Sequence, residues 1–299
     1  MRDNVITGWL VAALLSTACA IPAMAESSTL PAITDPVTQE HHTGKVIFTE
    51  LVTPNLTGAE KFYGRLFGWK FQSIQSDSLE YAEATLNGRP VAGLIHKDIA
   101  SGEHKQPAWL TFISARNIGN ETDLAERQGA KLLFGPVNIP DRGREAVLAD
   151  PQGAVFALLD SSSGDPVDDL SEPGEWIWSS LMTSDPDAAA DFYQGLFNYD
   201  IYDLPSDQYA QHFLMASDGY SRASVNTLAS NPHSHSHWLN YVRVNDTAKM
   251  TKKVVALGGN IVVAPHLDRH GGKVAVVTDP QGAPFGLIEW SVLDTKEIQ

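Results

Sequence analysis

Cysteine is almost missing from this chain. Cys19 is the only one among 299 residues, and it lies in a stretch read here as a removable leader. Arg2 gives a weakly basic start, Val5 to Ile21 is largely apolar, and Ala23-Met24-Ala25 is a small-residue cleavage signal. These are the parts of a secretory signal peptide, with cleavage expected after Ala25 and a periplasmic or secreted mature chain. A lipoprotein acylated at Cys19 is the alternative, but Ser16-Thr17-Ala18-Cys19 lacks the large apolar residue expected three positions before the cysteine. A mature chain without cysteine has no disulfide, no thiolate nucleophile and no Cys-ligated zinc.

Basic residues are also scarce. Lys and Arg total 21 against 36 Asp and Glu, a formal charge of −15. Such a chain repels nucleic acid and anionic membrane surfaces, so neither is expected as a partner. No apolar run after the leader is long enough to span a bilayer. No glycine-rich phosphate loop, Ser-His-Asp arrangement or nucleotide fingerprint is visible, and Gly271-Gly272 reads as a hairpin loop.

What the chain does have, it has twice. Phe62-Tyr63-Gly64-Arg65-Leu66-Phe67 returns 130 residues later as Phe192-Tyr193-Gln194-Gly195-Leu196-Phe197. Asp150-Pro151-Gln152-Gly153 returns 129 residues later as Asp279-Pro280-Gln281-Gly282, and Trp109-Leu110 returns as Trp238-Leu239. A repeat of this length is a duplicated domain. The division expected is a signal peptide over 1–25, a flexible polar lead over 26–43, a first domain over 44–160, a linker over 161–174, a second domain over 175–292 and a tail over 293–299.

Within each copy, short apolar strands alternate with helices. Ala59, Phe62, Tyr63 and Leu66 share one face of a helix over Leu56–Phe67, which Gly68 ends. A second helix is expected from about Asn120 to Gln128, with Gly129 as its stop. Each copy therefore reads β-α-β-β-β twice, an α+β fold. The Asp-Pro-Gln-Gly turns fall between the last two strands of each copy, where Pro fixes φ and Gly accepts a positive φ.

Paired β-α-β-β-β units, a Phe-Tyr-x-x-Leu-Phe helix and a terminal Asp-Pro-x-Gly hairpin resemble the vicinal oxygen chelate superfamily, which includes glyoxalase I, extradiol dioxygenases and bleomycin-binding proteins. Trp178-x-x-Leu181-x-Thr183-x-Asp185 is similar to the first strand of its tandem, glyoxalase-like members. The resemblance covers nearly all of Gly44 to Val292. It implies two tandem domains, each of two units curled into half-open barrels, with a divalent metal inside acting as a Lewis acid on chelated substrate oxygens. His and Glu side chains supply such ligands. Carried onto this sequence, the ligand positions fall at Phe48 and Trp178, near Gly93 and Ser224, near Leu110 and Leu239, and at Ala157 and Gly286. None of these is an imidazole or a carboxylate. No cofactor is therefore expected, although a divalent metal on displaced ligands stays open.

Several residues could restore chemistry. Glu50 shares a side of the first strand with Phe48 and is the one carboxylate that parity places in the cavity, as a general base or as a lining group bonded to Tyr or Trp. Its counterpart is Ser180. His233, His235 and His237 alternate on an extended segment before the strand opened by Trp238, and His212 and His237 are the candidate displaced metal ligands. Tyr81, Trp109, Trp178, Tyr209 and Tyr241 complete the expected lining, an aromatic cup suited to a planar or apolar molecule. The leading expectation is metal-independent binding of such a molecule by a monomer or homodimer. The alternatives are a glyoxalase-type lyase or dioxygenase using displaced ligands, and a structural protein whose cavities are filled.

Overall fold

In the computed structural model, residues 29–76, 79–98, 106–204, 212–228, 235–268 and 272–290 are described. The leader, Tyr209, His233 and the tail lie outside them. Domain one consists of β1 (Val46–Thr53), α1 (Leu56–Phe67), β2 (Lys70–Ser76), β3 (Leu79–Leu86) and β4 (Arg89–His96), then β5 (Ala108–Ser114), α2 (Ile118–Arg127), β6 (Lys131–Ile139), β7 (Gly143–Ala149) and β8 (Val155–Ser161). Domain two repeats the series as β9 (Trp176–Thr183), α3 (Pro186–Phe197), β10 (Asp200–Asp203), β11 (His212–Ser217) and β12 (Tyr220–Thr227), then β13 (His237–Arg243), α4 (Thr247–Ala256), β14 (Asn260–Leu267), β15 (Lys273–Thr278) and β16 (Pro284–Ile288). Each domain is one eight-stranded sheet, ordered β2-β3-β4-β1-β5-β8-β7-β6 in the first and β10-β11-β12-β9-β13-β16-β15-β14 in the second.

Local chemistry sets the helix ends. Asn55 accepts the Gly58 N–H and Asp185 accepts the Ala188 N–H, which satisfies donors that the first turn leaves unpaired. Pro186 opens α3, where its missing N–H costs nothing. Gly68 and Asn198 close α1 and α3 in the left-handed conformation that each tolerates.

The helix-bearing faces of the two sheets meet, and they meet crosswise. Leu51, Phe62 and Leu66 of the first unit share a core with Val254, Phe285 and Leu287 of the fourth. Ile113, Ala125 and Phe156 of the second unit share another with Leu181, Phe192 and Leu196 of the third. Between these cores, Thr111 and Asn240, equivalent positions of the two copies, bond to each other through Oγ1 and the amide at 2.9 and 3.2 Å.

The repeated motifs interlock in the same crosswise manner. Tyr63 receives the indole N–H of Trp109 at 3.1 Å and donates to Asp279 of the other domain at 3.3 Å. Tyr193 receives Trp238 at 3.0 Å and donates to Asp150 at 3.2 Å. The Asp-Pro-Gln-Gly turn is thus a hairpin turn whose Asp also fastens the opposite domain. This arrangement corrects Trp109: it faces the helix layer beside Tyr63, with ring centroids 5.2 Å apart, and not the cavity. Alternation along β5 sends Leu110 and Phe112 to the other face.

The lead and the linker are both packed. Ile33 is buried in the core formed by Phe48, Leu110, Phe112 and Val147 on the far face of sheet one. Thr34 and Thr38 bond to Ser163 and Asp165 across the linker, and the His42 N–H is held by the Asp165 carboxylate at 2.6 Å. Asp168 then joins Lys45 of domain one to Arg222 of domain two, at 2.8 and 2.6 Å. A polar segment without periodicity reads as loose, yet here two apolar anchors, Leu30 and Ile33, and a run of backbone bonds fix it in place.

Candidate functional site

Each sheet has a second face, turned away from the helices. In domain one, β1 presents Phe48 and Glu50 there, flanked by Tyr81 on β3 and by Leu110 and Phe112 on β5. This cup is full. Arg142, which the sequence reading missed, is completely buried in it. Its Nη1 donates to Glu50 Oε1 at 3.1 Å, its Nη2 to Tyr81 Oη at 2.7 Å, and its Nε to the Pro31 carbonyl of the lead at 2.8 Å. Tyr81 passes its own hydrogen to Glu50 Oε1 at 3.1 Å. The guanidinium carbon lies 4.6 Å from the Phe48 ring centroid, a cation–π contact. Glu50 is therefore ion-paired with Arg142 and hydrogen-bonded to Tyr81. Glu145, on β7, is pushed up to about 8 by burial and by the Glu50 charge, against the pull of Arg142.

In domain two the same positions carry different chemistry. Register places Trp178, Ser180 and Met182 of β9 beside Tyr241, Leu239 and His237 of β13. On the other flank lie Ser224 and Asn226 of β12 and then His212 and Leu214 of β11. Where Phe48, Phe112 and Tyr81 are buried, their counterparts Trp178, Tyr241 and His212 are half-buried. Trp178 stacks obliquely on Trp290, centroids 5.6 Å apart, and donates from Nε1 to Ser224 Oγ at 3.2 Å. Burial pushes the Tyr241 phenol up to about 12, partly offset by the Ser180 hydroxyl, with the Asp268 charge adding to the rise. Burial lowers His237, whose Nδ1 lies 2.8 Å from the His235 carbonyl.

The metal-ligand positions implied by the fold can be tested on the backbone itself. A Cβ on Gly93 would lie 2.1 Å from the Tyr81 hydroxyl, and one on Gly286 would lie 2.0 Å from the Tyr241 ring. Neither place admits a side chain unless that tyrosine shifts, and apolar Leu110, Ala157 and Leu239 occupy others. His212 and His237 stand on strands with β12 and β9 between them. Among the described residues no three His, Cys, Asp or Glu side chains come together as a metal site. The described residues do not fit the superfamily's metal. Gly286→Ala should also cost about 1–3 kcal/mol by overpacking against Tyr241, seen as a lower denaturation midpoint; an unchanged midpoint would show that Tyr241 is free to move aside.

The profile of the Glyoxalase/Bleomycin resistance protein/Dioxygenase superfamily matches residues 41–158 and 177–287, one match to each domain. The chain belongs to this superfamily. Among curated proteins it is 27% identical over 256 residues to the putative glyoxylase CFP32 of Mycobacterium tuberculosis, covering 85% of this chain and 98% of that one. It is 26% identical to the anthracycline biosynthesis protein DauV of Streptomyces sp. (strain C5), covering 82% and 93%. The Mn(II)-bound glyoxalase of Novosphingobium aromaticivorans shares the fold with a TM-score of 0.58 at 14% identity, covering 83% of each chain. The 2,3-dioxygenase LapB of Pseudomonas sp. KL28 does so with 0.59 at 11%, covering 84% and 94%. The superfamily fold is thus kept in both domains, while the side chains that face the cups depart from its metal-binding pattern.

Proposed function

We propose that this glyoxalase-like protein is exported and binds one small, planar, uncharged molecule per chain in the cup of domain two, without a metal. The observation that carries this reading is the inequality of the cups. Domain one fills its cup with Arg142, Glu50, Tyr81 and the lead, which makes it the structural partner. Domain two leaves Trp178, Tyr241 and Met182 half-buried around uncharged polar groups. Flat aromatic walls with a few placed hydrogen-bonding groups suit a flat ligand. Two Streptomyces relatives are anthracycline biosynthesis proteins, which is in keeping with such a ligand. A mature chain without cysteine suits export.

The test is a panel of naphthalene-sized aromatics, 7-hydroxycoumarin among them, titrated against purified protein by tryptophan quenching and equilibrium dialysis. The expected result is one site per chain with and without chelator, weakened about tenfold or more in Trp178→Ala, the scale of losing a buried aromatic anchor. Ligand at about 100 times its dissociation constant should add about 2.7 kcal/mol to stability. Two equivalent sites, or one tightly held divalent ion required for binding, would overturn the proposal.

A further inference from the structure

The polar groups on the floor of cup two form a hydrogen-bond chain whose direction can be worked out atom by atom. Ser224 Oγ receives the Trp178 indole N–H at 3.2 Å and the Asn226 amide N–H at 3.1 Å. A hydroxyl has two lone pairs and one hydrogen. With both lone pairs engaged, Ser224 must be the donor in its 2.9 Å bond to Ser180 Oγ. Ser180 then accepts from Ser224 and keeps its own hydrogen to give. That hydrogen goes to the oxygen of the neighbouring Tyr241, so the chain ends at the centre of the cup in the Tyr241 O–H. This end of the cup is a donor pole.

The opposite pole follows from His237. A carbonyl only accepts, so the 2.8 Å contact between Nδ1 and the His235 carbonyl fixes the ring hydrogen on Nδ1. The neutral ring, favoured by burial, carries its lone pair on Nε2. His237 lies opposite Met182 and Ser180 lies opposite Leu239. The two are therefore diagonal cross-strand neighbours, with backbones separated by about 7–8 Å.

Resting on the reading of cup two as the ligand site, we infer that it selects a neutral planar molecule with a carbonyl at one end, met by the Tyr241 O–H that Ser180 orients, and a hydroxyl or N–H at the other, met by His237. Cup one has the reverse polarity at the equivalent place. The Glu50 carboxylate only accepts, and its donors are Arg142 and Tyr81 of the same chain. The two copies thus differ in the sign of the hydrogen-bonding partner that they seek at one strand position, and only the second leaves its partner to be supplied from outside.

Three probes of similar size separate the poles. At pH 6, 7-hydroxycoumarin carries both groups, 7-methoxycoumarin lacks the hydroxyl hydrogen, and 2-naphthol lacks the carbonyl. The wild-type chain should bind the first about tenfold or more tightly than either of the others, because each lost group leaves a buried partner unpaired. His237→Phe should erase the preference over 7-methoxycoumarin and keep that over 2-naphthol, whereas Ser180→Ala should weaken the preference over 2-naphthol and leave the other intact. If all three probes bind alike, or if the preferences do not follow these two residues, the assignment of poles fails while cup two stands as a ligand site. If none of the three binds, both readings fail together.

Discussion

Arg142→Met should lower stability by about 3–5 kcal/mol, the cost of leaving a buried charge without its partner. At about 2–4 °C per kcal/mol for a chain of this size, the melting point should fall by about 10 °C. The loss comes from three places at once. Glu50 loses its ion pair, Tyr81 loses a donor, and the Pro31 carbonyl of the lead loses the Nε–H that holds it. Methionine matches the stem of arginine in length, so packing against Phe48 changes little. The double variant Arg142→Met with Glu50→Gln should recover more than half of the loss, since no uncompensated charge is left behind. Urea unfolding of the three proteins measures this. A single variant that loses less than about 1 kcal/mol would mean that Glu50 is held by something other than Arg142.

Between about pH 6.5 and 8, wild-type stability should fall by about 1–2 kcal/mol, and Glu145→Gln should remove most of that slope. The folded-state pKa of Glu145, about 8, is raised above the ordinary carboxyl value by burial and by the Glu50 charge. A raised carboxyl favours the protonated fold. Its contribution is complete below the unfolded value near 4 and is lost as the pH climbs through the folded value, at up to about 1.4 kcal/mol per unit. Asp150, raised to about 6 by burial, acts in this direction at lower pH, and Asp279, raised by the same cause, acts in this direction too. Below about pH 6.5 the lowered His237 opposes them, because its neutral form belongs to the fold. The window above 6.5 therefore lies above Asp150 and the lowered His237, and within it the Glu145→Gln comparison isolates the Glu145 carboxyl. Melting curves at fixed ionic strength check it, and a Glu145→Gln protein with an undiminished slope would assign the effect elsewhere.

How far these features could be read from residues alone depends on how local their causes are. Helix α1 was legible because its apolar spacing and its Gly68 stop are both local. The succession of strands and helices was legible because the second copy repeated it. Parity placed Phe48 and Glu50 on one side of β1 correctly. It failed for Trp109, because alternation says which residues share a face and not which face meets the helices. The Tyr63–Asp279 bond spans 216 positions, and no local pattern announces it. Arg142 was missed because it precedes β7 in a turn instead of lying on a strand. A signal did exist: the aligned position in the second copy is Gly271, so a full-length charged side chain stands where the duplicate has none. The lead was read as loose from its polarity, although Leu30 and Ile33 were its two buried apolar side chains. How much of cup two was legible is a matter of residue types. Trp178, Ser180, His237 and Tyr241 were named from strand parity, but the order in which their neighbours hand on hydrogens depends on distances that no sequence carries.

The crosswise bonds of Tyr63 to Asp279 and of Tyr193 to Asp150 exchange places under a half-turn that swaps the halves of the chain. Either half alone owns one tyrosine and one aspartate, and a second copy of that half would offer the two complementary groups in the same positions. The halves thus stand to each other as the subunits of a twofold dimer do. What the covalent connection adds is unlike composition: it lets one half bury Phe48, Tyr81 and Phe112 and the other leave Trp178, His212 and Tyr241 half-buried, an asymmetry that a dimer of identical chains does not have.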